Sequence, residues 1–264
     1  MKHILLLSVI VIFHFFHSAA STMPHADSYE TRSTRAERFF TYKEWSSALA
    51  MYQLMLDERP DEVEPYYKAI VAGAMIGDSI TQMSMLERTQ QRGISLDSLF
   101  NGVRSVSFAI NEAEAYNDFL MLVKSKQPWL KRRINIYLLN YYNFRNDADN
   151  IISTAKELLE QTPENTDYIK YMAKAYIELD NIDEALKCYK HILHINNYDY
   201  DALLALGNHY ALLLLDPTYC SPTVKMPHEN LAALAQSYLY DAYNINPTPY
   251  VKKLLDKVSN TVNP

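Results

Sequence analysis

Turn-forming residues recur in this chain at a nearly fixed interval, and an interval of this kind constrains a fold more than any single motif does. Pro60 and Pro128 are 68 residues apart, twice 34; Pro163 follows after 35, Asn197 after a further 34, and Pro247 after 50, which is 34 plus an insertion of 16. Between the turns the apolar residues keep helical spacing. In the stretch from Asn181 to Tyr210, Ile182, Ala185, Leu186, Tyr189, Ile192 and Leu193 form one stripe, and Leu203, Leu206, Gly207 and Tyr210 form a second. Two helices joined by a short turn cannot bury both stripes between themselves, so each pair must stack on its neighbours. With only 5 glycines in 264 residues, the composition also favours helix over sheet.

The stretch resembles the tetratricopeptide repeat. In that family small residues at places 8 and 20 of a 34-residue unit let two helices approach, and aromatics at places 11 and 24 fill the gap. In the fifth unit these are Ala173, Ala185, Tyr176 and Tyr189. Ala36, Phe39, Trp45, Ala48, Tyr52 and Pro60 fall in register in the first unit, and Gly207, Tyr210, Ala235, Leu239, Ala242 and Pro247 in the sixth. The fourth unit keeps Leu138, Tyr142, Leu158 and Pro163 but places Leu139 and Ile151 at the close contact. The second and third depart further, with Ile70 and Gln82, then Arg104 and Tyr116, at those places.

The resemblance implies an all-α fold: a right-handed superhelix of about six helix pairs over residues 29–62, 63–96, 97–130, 131–165, 166–199 and 200–248. A capping helix and tail over 249–264 complete it. The cap reads from Val251, Leu254, Leu255 and Val258 on one side and lysines on the other. The insertion, Asp216 to Asn230, holds three prolines and is expected to be an ordered surface loop.

Residues 1–20 have the pattern of a cleaved signal peptide: Lys2, an apolar run from Ile4 to Phe16, then Ser18 and Ala20 as a peptidase site, with a linker over 21–28. The run is shorter than the roughly 20 residues that span a bilayer. An uncleaved anchor is the alternative; on the first reading no stable membrane insertion follows cleavage. No Asn-x-Ser/Thr acceptor occurs, since Pro247 spoils the one near-match at Asn246, and a bacterial periplasm is the expected compartment. Cys188 and Cys220 have the option of pairing there, which spacing alone does not decide.

A net charge of −6 argues against nucleic acid or anionic lipid as the main partner, and the basic residues read as scattered. Cys188, His191 and His194 share one helix at steps of three but lack a fourth ligand at familiar spacing, so they read as a helix face and no metal is expected. No nucleophile elbow, phosphate loop or His-Glu-x-x-His motif is present. The expectation is therefore no catalytic residue and no cofactor. The rival readings are a solenoid that binds a small molecule or glycan and, further off, a helical hydrolase.

In the family, places 2, 5, 9 and 12 of each first helix line the concave surface. Here these are Arg133, Ile136, Asn140 and Asn143, then Asp167, Lys170, Lys174 and Ile177, then Leu204 and Asn208. The resemblance thus implies a protein or peptide partner held by Arg133, Asn140, Asn143, Lys170, Lys174 and Asn208. Lysines suit a carboxylate and asparagines an extended backbone, so an acidic peptide fits best. Asp201 and Ala205, standing where a two-carboxylate clamp would continue, depart from that pattern. The sequence leaves the oligomeric state open.

Overall fold

A computed structural model of the chain describes residues 28–216, 218–219 and 226–262. The expected signal peptide and Cys220 lie outside them. The described residues form thirteen α-helices and one 3₁₀ turn, with no strand among them. They divide into two compact units, the first ending at Leu122 and the second starting at Val123.

In the first unit, α1 (Tyr29–Thr41) pairs with α2 (Trp45–Glu58) and α3 (Val63–Met75) with α4 (Ser79–Gln91). α5 (Leu96–Ala109) precedes α6 (Ala113–Lys126), within which the division falls. In the second, the 3₁₀ turn Pro128–Leu130 leads into α7 (Lys131–Arg145), followed by α8 (Ala148–Leu159), α9 (Thr166–Glu178) and α10 (Ile182–Ile195). α11 (Tyr200–Leu215) and α12 (His228–Ile245) flank the insertion, and α13 (Pro249–Val262) packs on both. A stack of helix pairs is thus present in each unit, as the sequence led us to expect.

One turn recurs through the stack. Lys43, Gly77, Asn111, Asn146 and Asp180, each between the two helices of a pair, have φ of 61°, 72°, 61°, 53° and 56°. The next residue donates its backbone N–H five residues back, as Glu44 does to Phe39, Asp78 to Gly73, Glu112 to Ser107, Asp147 to Tyr142 and Asn181 to Tyr176. This six-to-one bond over a left-handed residue closes a helix whose last carbonyls would otherwise be unpaired. The second helix then starts at once. Asp78, Asp147 and Asn181 also accept from the backbone N–H three residues on, capping that helix. Four of these five left-handed residues are not glycine, which is why the sequence pattern hides them. The sixth pair has the insertion at this place instead.

Small residues lie where the resemblance put them at the ends of the array: Ala36, Ala48, Ala173, Ala185, Gly207 and Ala235 are all buried. Two assignments need correction. In the first pair Phe40, not Phe39, is buried against Trp45 and Tyr52, with ring centroids 5.1 and 6.1 Å apart, while Arg38 stacks over the partly exposed Phe39. In the third pair α5 starts at Leu96, one residue before the position that counting in 34s from Val63 gives. Val103 therefore enters the core and Arg104 turns outward over the Phe108 ring. The shift comes with a close approach of α5 to α3. A methyl group on Gly102 would stand 2.1 Å from the Tyr67 ring, so only a hydrogen there allows the contact. Tyr67 is thus part of the packing.

If left-handed backbone strain is the only difference between these turns, replacing the residue should expose it. Lys43→Gly is expected to stabilise the chain by about 1 kcal/mol and Gly77→Ala, which has open space for its methyl group, to destabilise it by about 1–2 kcal/mol. Chemical denaturation of the two variants checks the opposite signs.

Candidate functional site

The sequence-predicted binding residues all lie in the second unit, on the less buried sides of α7, α9 and α11. Helical spacing divides each of these helices. Ile134 and Leu138 on α7, Ile169 and Ala173 on α9, and Leu203 and Leu206 on α11 are buried. Arg133, Ile136, Asn140 and Asn143 on α7 and Asp167, Lys174 and Ile177 on α9 are exposed, with Leu204 and Asn208 on α11 half-buried.

The structure separates these residues by what already holds them. Lys170 places its Nζ 2.8 Å from Asp199 and 2.9 Å from Asp201, across the gap from α9 to α11. Asp199 is itself buried and caps α11 by accepting from the Ala202 N–H at 3.0 Å. Burial works against the Lys170 ammonium, but its bonds to Asp199 and Asp201 outweigh that and push its pKa up. Its charge is therefore committed inside the molecule, and the departure at Asp201 noted in the sequence has a use. Asn208 accepts from the Tyr250 hydroxyl of α13 at 3.2 Å. By contrast Lys174 has no ion-pair partner, and Asn140 and Asn143 no side-chain hydrogen bond, among the described residues. Ile136 and Ile177 are 38% and 46% exposed, an apolar surplus on faces that otherwise carry polar groups.

The start of α7 is anchored from below. Glu157 of α8 accepts from Lys124 and Lys131 at 3.0 Å each and from the Asn135 amide at 3.1 Å. Burial would raise the Glu157 carboxyl, but these three donors override it and lower its pKa from 4.5 to about 2. The result is a fixed first turn for the helix that carries Arg133 and Ile136.

The remaining titratable groups are placed as follows. The stripe of Cys188, His191 and His194 splits, Cys188 being a buried free thiol whose pKa burial pushes up to about 11, while both histidines are exposed. Among the described residues no group of three or more His, Cys, Asp and Glu is placed to hold a metal ion. A cleft of about 260 Å³ in the first unit is lined by Glu37, Glu64, Lys68, Tyr29 and Tyr52 among others. Its charges answer one another: Lys68 lies 2.8 Å from Glu37 and 2.7 Å from Glu64, Tyr52 donates to Glu37 at 3.0 Å, and Tyr29 donates to Glu62. Within the insertion, Tyr219 lies 3.1 Å from Nδ1 of the buried His209 and stacks on its ring edge.

Sequence reasoning missed Tyr250, which the cap brings to the edge of the face, and Trp129, which stands 73% exposed on the 3₁₀ turn. The signal for Tyr250 was its position at the start of an amphipathic helix. Trp129 had its own signal, an indole between "KSKQP" and "LKRR".

No protein-family model matches the chain and no curated protein does. Among solved structures it is similar to a protein from Bacteroides ovatus, at 17% identity and a TM-score of 0.49 over 76% of this chain and 98% of that one. It is also similar to a TPR repeats protein from Bacteroides fragilis, at 15% identity and a TM-score of 0.38 over 89% of this chain and 99% of that one. A third is the C-terminal part of a TPR repeat-containing protein from Cytophaga hutchinsonii, at 10% identity and a TM-score of 0.46 over 80% of this chain and 77% of that one. Its own paired helices, recurring turns and buried small residues give the chain a helical-repeat fold of tetratricopeptide-like form.

Because the Glu157 pKa is lowered in the folded state, its contribution is full above the ordinary carboxylate pKa and is lost as pH falls. Glu157→Gln is expected to be less stable than wild type at neutral pH, with the difference closing as pH falls from 4.5 toward about 2. Urea unfolding at a series of pH values checks the sign and the window.

Proposed function

We propose that this is a non-catalytic interaction scaffold that binds a protein or peptide on the exposed faces of α7, α9 and α11. The observation that carries the reading is the pairing of exposed apolar and unengaged polar groups there. Ile177 lies one helical turn from Lys174, and Ile136 one turn from Asn140 and two from Asn143. A peptide laid across these faces would cover the isoleucines and give its backbone to the asparagines, and Lys174 is the lysine left to meet an acidic group. Lys170 acts in this reading as a strut that holds α9 to α11, and Asn208 with Tyr250 borders the face.

The pattern of residues 1–20 supports the further proposal that the scaffold is exported and works in an aqueous compartment such as a periplasm. Mass spectrometry of the chain recovered from an exported fraction would give Ser21 as its first residue on this reading; an intact Met1 would overturn the cleavage.

Affinity capture from the native exported fraction tests the binding face. Lys174→Glu with Ile177→Asp is expected to keep its helical content and to lose a partner that the wild type retains, by about tenfold or more in affinity. Lys170→Glu serves as the contrast: it sets a third carboxylate against Asp199 and Asp201, so it should lower stability measurably. A partner held equally by wild type and the folded double variant would remove these faces from the proposal.

A further inference from the structure

Lys124, Lys126, Lys131, Arg132 and Arg133 fall within ten positions, on either side of an exposed ring, a local cluster in a chain whose basic residues otherwise read as scattered. Trp129 is 73% exposed, and Pro128 beside it is also exposed, at the apex of the 3₁₀ turn that joins α6 to α7. An indole is amphipathic, with a large apolar ring and one N–H donor, and here it is left in water beside an exposed proline. Lys126, the last residue of α6, and Arg132, in the first turn of α7, flank it; both are exposed, and neither has an ion-pair partner among the described residues.

The platform under the ring is fixed. Gln127 is 4% exposed, its N–H donates to the Val123 carbonyl at 2.8 Å, and its own carbonyl accepts from Leu130 at 2.9 Å. Lys124 and Lys131, on either side of the turn, are both held by Glu157. The turn runs straight into α7, with the Lys131 N–H donating to the Pro128 carbonyl, so ring and helix move as one piece.

We propose that the Pro128–Leu130 turn is a docking tip for an anionic lipid surface, with Trp129 entering the headgroup layer and Lys126 and Arg132 meeting lipid phosphates. The shape favours lipid over a peptide. A short exposed turn can press into a flat, deformable surface, whereas an extended peptide needs a groove along which to lie. An indole sits well at the boundary of headgroup and acyl chain, and flanking cations are drawn to anionic headgroups. The overall charge of −6 works against non-specific docking, so contact with an anionic surface depends on a local group of cations such as this one. The contact is peripheral, and no described helix is long and apolar enough to cross a membrane.

The test uses the full chain with Trp45→Phe, which leaves Trp129 as the remaining one of 2 tryptophans and keeps an aromatic ring against Phe40. With phosphatidylglycerol vesicles the Trp129 emission is expected to move to the blue and to become shielded from acrylamide. The effect should weaken with added salt and be absent with phosphatidylcholine vesicles. Lys126→Glu with Arg132→Glu, checked for unchanged helical content, should weaken partitioning by ~10-fold or more. Emission that stays unchanged on anionic vesicles overturns the proposal, and so does an equal response to neutral ones. A response to poly-glutamate without one to vesicles overturns it too and assigns the tip to an acidic protein partner.

Discussion

The turn between the two helices of each of the first five pairs is the constraint from which the rest of their packing follows. A single left-handed residue with a six-to-one hydrogen bond over it reverses the chain within about one residue, so the second helix must lie back along the first. At the crossing of the two helices small residues are fully buried in the first and fifth pairs, as Ala36 with Ala48 and Ala173 with Ala185 are. Where the crossing residues are larger, as at Leu139 and Ile151, they are buried as well, at 2% and 3% exposure. The turn is therefore more constant than the residues it brings together.

Charge does for neighbouring pairs what the turn does within one. Tyr29 with Glu62, Arg88 with Asp57, Lys124 with Glu157 and Lys170 with Asp201 each join residues 31 to 33 apart, close to one repeat. Ties at this separation cross from one pair to the next within a unit. Most are partly exposed, and each adds little in isolation because water screens it. Lys170 and Glu157 are the exceptions, since a buried or half-buried partner holds each in place. The binding proposal draws on what is left over. Lys174, Asn140, Asn143, Ile136 and Ile177 make none of these ties and are exposed, and that is why they carry the binding proposal, just as Lys126 and Arg132 do at the Trp129 tip.

Helix identity, pairing and the period were legible from the chain because they rest on local information. Prolines and caps mark where helices start, apolar spacing marks the face each helix buries, and the low glycine content removes the competing sheet folds. The buried alanines and the amphipathic last helix were equally readable, being consequences of the same period. The left-handed turns were not, since Lys43, Asn111, Asn146 and Asp180 do not announce a positive φ as glycine does.

Partnership across repeats was settled by the tertiary structure. Sequence set Lys170 and Lys174 on one face as equals, and the position of Asp199 and Asp201 at the start of α11 makes one a strut and leaves the other open. The one-residue advance of α5 put Val103 in the core in place of Arg104, and the turn before α7 raised Trp129 into solvent. The physical reason is the same in each case. A period fixes angles about one helix axis, but which side chains meet depends on crossing angles and offsets between helices, and those are set by the volumes of residues packed together from distant parts of the chain.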